Sequence, residues 1–296
     1  MALLDVLSFV MRHPLNRGMR FRALQQFLSW QLSSRLVPGG VLFDWIEGSR
    51  LIVRPGQTGL TGNIYCGLQE FAEMGYLLHV LRPGDLFVDI GANLGSYTIL
   101  ASAVVGADTI CVEPVPDTYA ALIENVRVNG AEERVTCIQA AVGAREGTSW
   151  FSTGLGPGNH MIQGAEGGAG GLEVETMTLD RLLEGVHPAL IKIDVEGFET
   201  EVIEGGAETL SRPSLHSVIM ELNGSGNAYG FDEDRVLQTM RAHGFSLCTY
   251  DPLQRRVDAL PILDPALDNC IFIRDVALAR ARTLDSRQYQ IRGHML

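Results

Sequence analysis

Two short stretches concentrate the residues able to do chemistry. The first is Leu86-Phe-Val-Asp-Ile-Gly-Ala-Asn-Leu-Gly-Ser96, an apolar run that ends in glycine turns and passes directly into a helical pattern. The second is Ile191-Lys-Ile-Asp-Val-Glu-Gly-Phe-Glu199, an apolar run broken only by Lys192 that ends in Asp194 and Glu196 before Gly197 turns the chain. Glycines at a strand end let the backbone approach a ligand, and the helix that follows offers unpaired N–H groups and a partial positive charge. Open α/β sheets bind ligands at this carboxyl edge.

The glycine spacing selects among nucleoside ligands. A dinucleotide site wants G-x-G-x-x-G so that pyrophosphate can lie on the helix end. Here Gly91 fits, but Asn93 and Ser96 occupy the other two glycine places. Asp89 stands two residues before Gly91, where a carboxylate disfavours pyrophosphate and suits an ammonium group. S-adenosylmethionine (SAM) carries such an ammonium and a sulfonium. Its carboxylate suits Asn93 and the N–H groups of the Gly91–Gly95 turn, which also holds Ala92. Glu113, 24 residues past Asp89, ends the next strand beside Pro114 and can accept both ribose hydroxyls. The third strand leads into Ala140-Ala141-Val142, small residues beside which an adenine ring fits.

For proton removal the sequence offers Asp194 and Glu196 on the same sheet edge as Gly91, and His160 in a glycine-rich loop. Glu199 reads instead as a helix-capping acid. No spacing of His and carboxylates demands a metal, and none is expected, although Asp194, Glu196 and Glu221 carry suitable oxygen ligands. No G-x-S-x-G, Walker loop or H-E-x-x-H is present.

The surrounding elements must place these residues together. Strands are expected at Leu86–Ile90, Thr109–Glu113, Val135–Gln139, Leu190–Asp194, Ser217–Leu222, Phe245–Tyr250 and Cys270–Arg274. Helices are expected at Leu68–Leu81, Ser96–Val105, Pro116–Asn129, Phe198–Leu210 and Asp232–His243. Such alternation predicts a parallel sheet covered on both faces; the last two strands, split by the turn-rich Asp251–Pro265, suit an antiparallel pair. Residues 148–178 interrupt the series as strand, loop and strand, and Gly154–Gly171 holds eight glycines in eighteen residues, a lid or specificity element. Ahead of the series lie a hairpin of Val41–Phe43 with Arg50–Arg54 and a glycine-rich run, Gly56–Gly67. Residues 277–292, with four arginines, read as a solvated terminal helix.

Residues 1–35 differ in texture. Arg12, Arg17, Arg20, Arg22 and Arg35 face one acid, Asp5, a local charge of +4, and Phe21, Leu24, Phe27, Leu28 and Leu32 recur at helical spacing. This segment reads as a helical appendage packed on the main domain or a second copy, making a homo-oligomer, or as an interfacial helix making peripheral contact with anionic lipid or glycan. The chain thus divides into an appendage (1–60), a catalytic domain (61–275) and a tail (276–296).

Composition narrows the class. The 296 residues are 46% apolar, with 23 basic and 35 acidic side chains, a formal charge of −12. A chain this acidic is a poor partner for nucleic acid. No apolar run is long enough for a transmembrane segment, and the amino terminus lacks a secretory pattern. Five scattered cysteines without a C-x-x-C pair suit a reducing, cytoplasmic setting.

Taken together, Val88-Asp-Ile-Gly-Ala-Asn-Leu-Gly-Ser-Tyr-Thr98, Val112-Glu-Pro114 and the Ile191–Glu199 stretch, in this order and spacing, resemble the FkbM-type methyltransferases over roughly residues 60–250. The resemblance implies a class I, Rossmann-like SAM-dependent methyltransferase fold, a seven-stranded, mostly parallel sheet with its last strand antiparallel. It implies O-methylation of hydroxyls on sugars, glycosylated or other secondary metabolites. Carried over by position, Asp89, Gly91, Asn93, Gly95 and Glu113 would hold SAM, and Glu70 matches an acid the family often carries ahead of the first motif. Two other readings remain: an NAD-dependent oxidoreductase on a related sheet, and a non-catalytic scaffold that keeps the fold.

Overall fold

A computed structural model describes residues 3–36, 39–151, 161–162, 171–264 and 267–296. The chain opens with α1 (Leu3–Arg12), a short 3-10 turn and α2 (Arg20–Leu36), then the antiparallel hairpin β1 (Val41–Asp44) and β2 (Arg50–Val53). Glu47 and Gly48 make its turn at positive φ. The glycine-rich run forms a helix, α3 (Thr58–Cys66), contrary to its composition. A Cβ at Gly59 would lie 3.1 Å from the Asn93 amide, and one at Gly62 would overlap Gln69, so small residues let α3 pack closely there. Next come α4 (Phe71–Val80), β3 (Leu86–Ile90), α5 (Ser96–Ile99, continued to Val105 by wider π-type turns), β4 (Asp108–Val112), α6 (Pro116–Val128) and β5 (Val135–Ile138).

The interruption builds a small sheet of its own. Strands β6 (Ala141–Val142), β7 (Gly147–Phe151), β8 (Met161–Ile162) and β9 (Leu172–Met177) pair in the order β6-β9-β7-β8. Apart from Met161, Ile162 and Gly171, the glycine-rich loop lies outside the described residues. After α7 (Leu179–Leu182) and β10 (Leu190–Ile193), the helix expected over Phe198–Leu210 is split into α8 (Glu199–Glu204) and α9 (Ala207–Ser211). The break falls at Gly205-Gly206, where a Cβ on Gly205 would sit 2.2 Å from the Gly143 carbonyl oxygen. The chain continues through β11 (Ser217–Glu221), α10 (Glu233–Ala242), β12 (Ser246–Asp251), β13 (Arg256–Ala259), β14 (Asn269–Ile273) and α11 (Val276–Leu284).

The main sheet runs β13-β12-β14-β11-β10-β3-β4-β5. Strands β3, β4, β5, β10 and β11 are parallel neighbours, and β14 is antiparallel to both β11 and β12. The expected seven strands are present. The eighth, β13, is an edge strand that the sequence reading assigned to turns; it pairs antiparallel with β12. Apolar clusters cover both sheet faces: one joins α4 and α11 to the sheet, the other joins α7 to α10.

The helix expected over 277–292 covers only α11, up to Leu284, and the rest of the tail packs on the domain. The tail ends in a small hairpin, β15 (Gln290–Ile291) with β16 (His294–Met295), and Tyr289, Ile291 and Leu296 are buried. Its arginines are spent on the domain: Arg282 pairs with Asp85 at 2.5 Å and Arg280 donates to the Val257 carbonyl.

Candidate active site

The ends of β3, β4, β5 and β10 open onto one trough at the carboxyl edge of the sheet. Gly91 turns the chain out of β3 at φ +77°, and a Cβ there would fall 1.8 Å from the Asp194 carbonyl oxygen. Gly91 is therefore required first by the neighbouring strand. Gly95, at φ +90°, makes room for the Leu122 side chain, and it packs α5 on α6 rather than lining the trough. Both glycines are thus approached closely by protein atoms, and Gly91 in addition lines the trough.

The trough has two parts. One is walled by Gly91, Asn93, Glu113, Pro114, Ala141, Val142, Phe151 and Phe198. The other is walled by Glu70, Glu73, Asp89, Ala92, Tyr97, Lys192, Glu221, Asp268 and Asn269, with Phe9, His13 and Pro14 at its amino-terminal side. Gly91, Asn93, Asp194 and Glu196 line both and form their junction. All the expected site residues except Gly95 and His160 thus meet at one trough. His160 lies outside the described residues.

Glu113 fastens the first part. Its two carboxylate oxygens accept from the backbone N–H of Asn93 and of Val115, both at 3.0 Å. Burial raises its pKa to about 7, against the pull of those bonds. Val115, Ala141, Val142 and Phe151 supply apolar walls suited to a purine.

Beneath the second part lies a buried polar cluster that the sequence reading only half found. Register sets Lys192 directly beside Asp89 on adjacent parallel strands. The Lys192 ammonium is 2.5 Å from Asp194 Oδ2 and stands 4.6 Å from the Tyr97 ring centre. Burial alone would pull the Lys192 pKa down, but Asp194, Glu70 and Asp89 together hold it above the usual lysine value. Asp89 accepts from the Thr98 hydroxyl at 2.7 Å, and burial lifts its pKa to about 6 against the Lys192 charge. Glu70, one residue ahead of α4, accepts from the Tyr97 hydroxyl, and burial raises its pKa. Lys192 was visible as the single charge in an apolar strand; that interruption was the available signal.

Glu199 is not the helix cap expected of it: it is the first residue of α8, which has no side-chain cap, and it closes the preceding turn instead. Its Oε1 accepts from the N–H groups of Val195 and Gly197, closing the turn in which Glu196 sits at φ +53°. Carboxylate oxygens of Asp194, Glu196 and Glu221 all lie within 4.8 Å of one another, a spacing that a divalent cation could span. Burial and the neighbouring carboxylates Asp194 and Glu196 raise the Glu221 pKa to about 9.

This doubly wound sheet, with its reversed seventh strand and a trough at the first βα turn, is the class I, Rossmann-like methyltransferase fold. The FkbM methyltransferase domain matches residues 89–247, and the chain belongs to that family. It is 30% identical over 219 residues to the 31-O-demethyl-FK506 methyltransferase FkbM of Streptomyces tacrolimicus, covering 62% of this chain and 82% of that protein. It is 28% identical over 152 residues to the hexuronic acid methyltransferase AglP of Haloferax volcanii, covering 50% of this chain. The match spans 59% of AglP. Among solved structures, TrmK of M. capricolum in complex with S-adenosyl-homocysteine aligns at TM-score 0.37 and 10% identity, over 68% of this chain and 66% of that one.

Proposed function

We propose that the protein is a SAM-dependent O-methyltransferase acting on a hydroxyl of a sugar or of a glycosylated or secondary metabolite. The observation that carries this reading is the two-part trough joined at Asp194. One part offers a buried acid and apolar walls for a nucleoside; the other offers carboxylates for an ammonium and space for an acceptor. When bound, SAM supplies an electrophilic methyl group. Glu113 suits the ribose hydroxyls, Ala141 and Val142 the adenine, and Asp89 with Glu70 the ammonium. The relatives named for hexuronic acid and for a natural product support an acceptor of this kind.

A hydroxyl is a weak nucleophile, so its proton must leave as the oxygen attacks. Asp194 stands at the junction and takes that role first, with Glu196 next to it. Lys192 holds Asp194 Oδ2 in a fixed ion pair, which orients the carboxylate and leaves Oδ1 as the oxygen to receive the proton.

Calorimetry with SAM and with NAD, on the intact protein and on Asp89→Ala, tests the cofactor. SAM binding that weakens in the variant is expected; binding of NAD instead would restore the oxidoreductase reading, and binding of neither the scaffold reading. Asp194→Asn should lower turnover by about 10²–10⁴-fold with SAM affinity nearly unchanged. Undiminished turnover would remove Asp194 as the base.

A further inference from the structure

Helix α2 is apolar on two faces. Ala23, Phe27 and Trp30 are buried, and the Phe27 ring lies 5.1 Å from that of Tyr65 on α3. The opposite face carries Phe21, Leu28, Leu32 and Leu36, which are 80%, 57%, 64% and 71% exposed. With Gln25 they recur at intervals of four, three, four and four residues, one stripe of an α-helix. The helical spacing in the sequence suggested a single apolar face; the fold buries one face and leaves another in water.

The stripe is flanked by charge of one sign. Arg20, Arg22 and Arg35 on α2, Arg17 just ahead of it and Arg12 on α1 are all exposed. Residues 1–35 carry +4 in a chain of −12, so the remainder carries −12 − 4 = −16. The basic segment therefore stands out against an acidic remainder.

We propose that the exposed face of α2 docks on an anionic lipid bilayer, with Phe21, Leu28, Leu32 and Leu36 entering the acyl boundary and the flanking arginines meeting lipid phosphates. A soluble anionic polymer would satisfy the arginines and leave the leucines in water. A second copy on a two-fold axis would cover the leucines but bring the same arginines face to face. A bilayer satisfies both. Phe9, His13 and Pro14, from the same segment, line the second part of the trough, so on the function proposed above the docking segment adjoins the acceptor side.

The test is co-sedimentation of the full chain with vesicles of phosphatidylcholine alone and of an equal mixture with phosphatidylglycerol, at low and high salt. The protein should pellet with the anionic vesicles at low salt only. Arg20→Gln with Arg22→Gln should weaken partitioning by about thirtyfold, since one arginine near such a surface is worth about fivefold. Leu28→Gln with Leu32→Gln should weaken it at least tenfold, with the melting temperature and SAM affinity unchanged. Absence of binding to anionic vesicles, or equal binding by both variants, overturns the proposal. So does a dimer in sedimentation velocity that Leu28→Gln with Leu32→Gln dissolves while vesicles capture nothing. None of these outcomes depends on methyl transfer, so failure here leaves the proposed activity standing.

Discussion

In the first part of the trough, Glu113 already accepts two backbone N–H groups from the fold itself. Across the Asp194 junction, Glu221 Oε2, Asn269 Oδ1 and Gln69 Oε1 are enclosed without a hydrogen-bond partner. The first wall is finished by the fold: its acid holds the Gly91–Gly95 turn in place and is oriented by doing so. The second wall retains unpaired polar atoms, each costing about 1–3 kcal/mol until a partner arrives. A hydroxyl-rich guest supplies both donors and acceptors. On the function proposed above, the contrast would set a nucleoside wall completed by the fold against an acceptor wall completed by its substrate.

Removing Lys192 is the largest test of that contrast. Lys192→Met strips the buried cluster of its cation and strands Asp194 and Asp89, which should cost about 3–5 kcal/mol in urea unfolding. A loss below about 1 kcal/mol would mean that the cluster is not held by that charge.

The pH dependence comes next. The folded pKa of Asp89, about 6, exceeds its ordinary 3.8, so the folded state holds this proton more tightly than the unfolded chain. Its contribution is complete below about pH 4 and gone above about pH 6, an amount of about 3 kcal/mol. Glu113 and Glu199, both raised to about 7 by burial, act in the same direction up to that pH. Ligand-free protein should therefore lose stability between pH 4 and 7, and Asp89→Asn should flatten the lower part of that slope. A melting temperature that climbs across this range would contradict the assignment.

A smaller effect is expected at Thr98. Thr98→Val removes the 2.7 Å hydrogen bond to Asp89 and should cost about 1.5–3 kcal/mol, with SAM affinity falling as Asp89 loses its orientation. Smallest on stability is Glu221→Gln. With its pKa raised to about 9, Glu221 is already protonated near neutral pH, so an amide should change stability by less than about 1 kcal/mol. SAM affinity should hold while the acceptor KM rises. Equal effects on both ligands would erase the division between the two walls.

Much of the main sheet was legible because its signals are local. Leu86–Ile90 and Leu190–Ile193 are apolar runs closed by acids and glycines, and Asp232, Asn129 and Gly244 punctuate their helices. What was misread depends on distant neighbours. The glycine-rich run Gly56–Gly67 gave no local sign of a helix, yet its glycines are where α3 meets Gln69 and Asn93. The tail arginines looked like a solvated face, yet one of them pairs with Asp85, nearly two hundred residues earlier. Strand β13 lies among turn residues and exists because β12 offers it an edge.

The sequence alone determined the seven main strands and most of the helices between them, the acids at the strand ends, and the family to which the motifs belong, because each is written in residues a few positions apart. Only the tertiary structure decided that Gly91 yields to the Asp194 carbonyl, that Lys192 joins Asp89 to Asp194, and that α2 shows a second apolar face to water. Those facts follow from the register between strands and from which helix face the core claims. Both are set by packing over the whole chain and leave no trace in any local stretch.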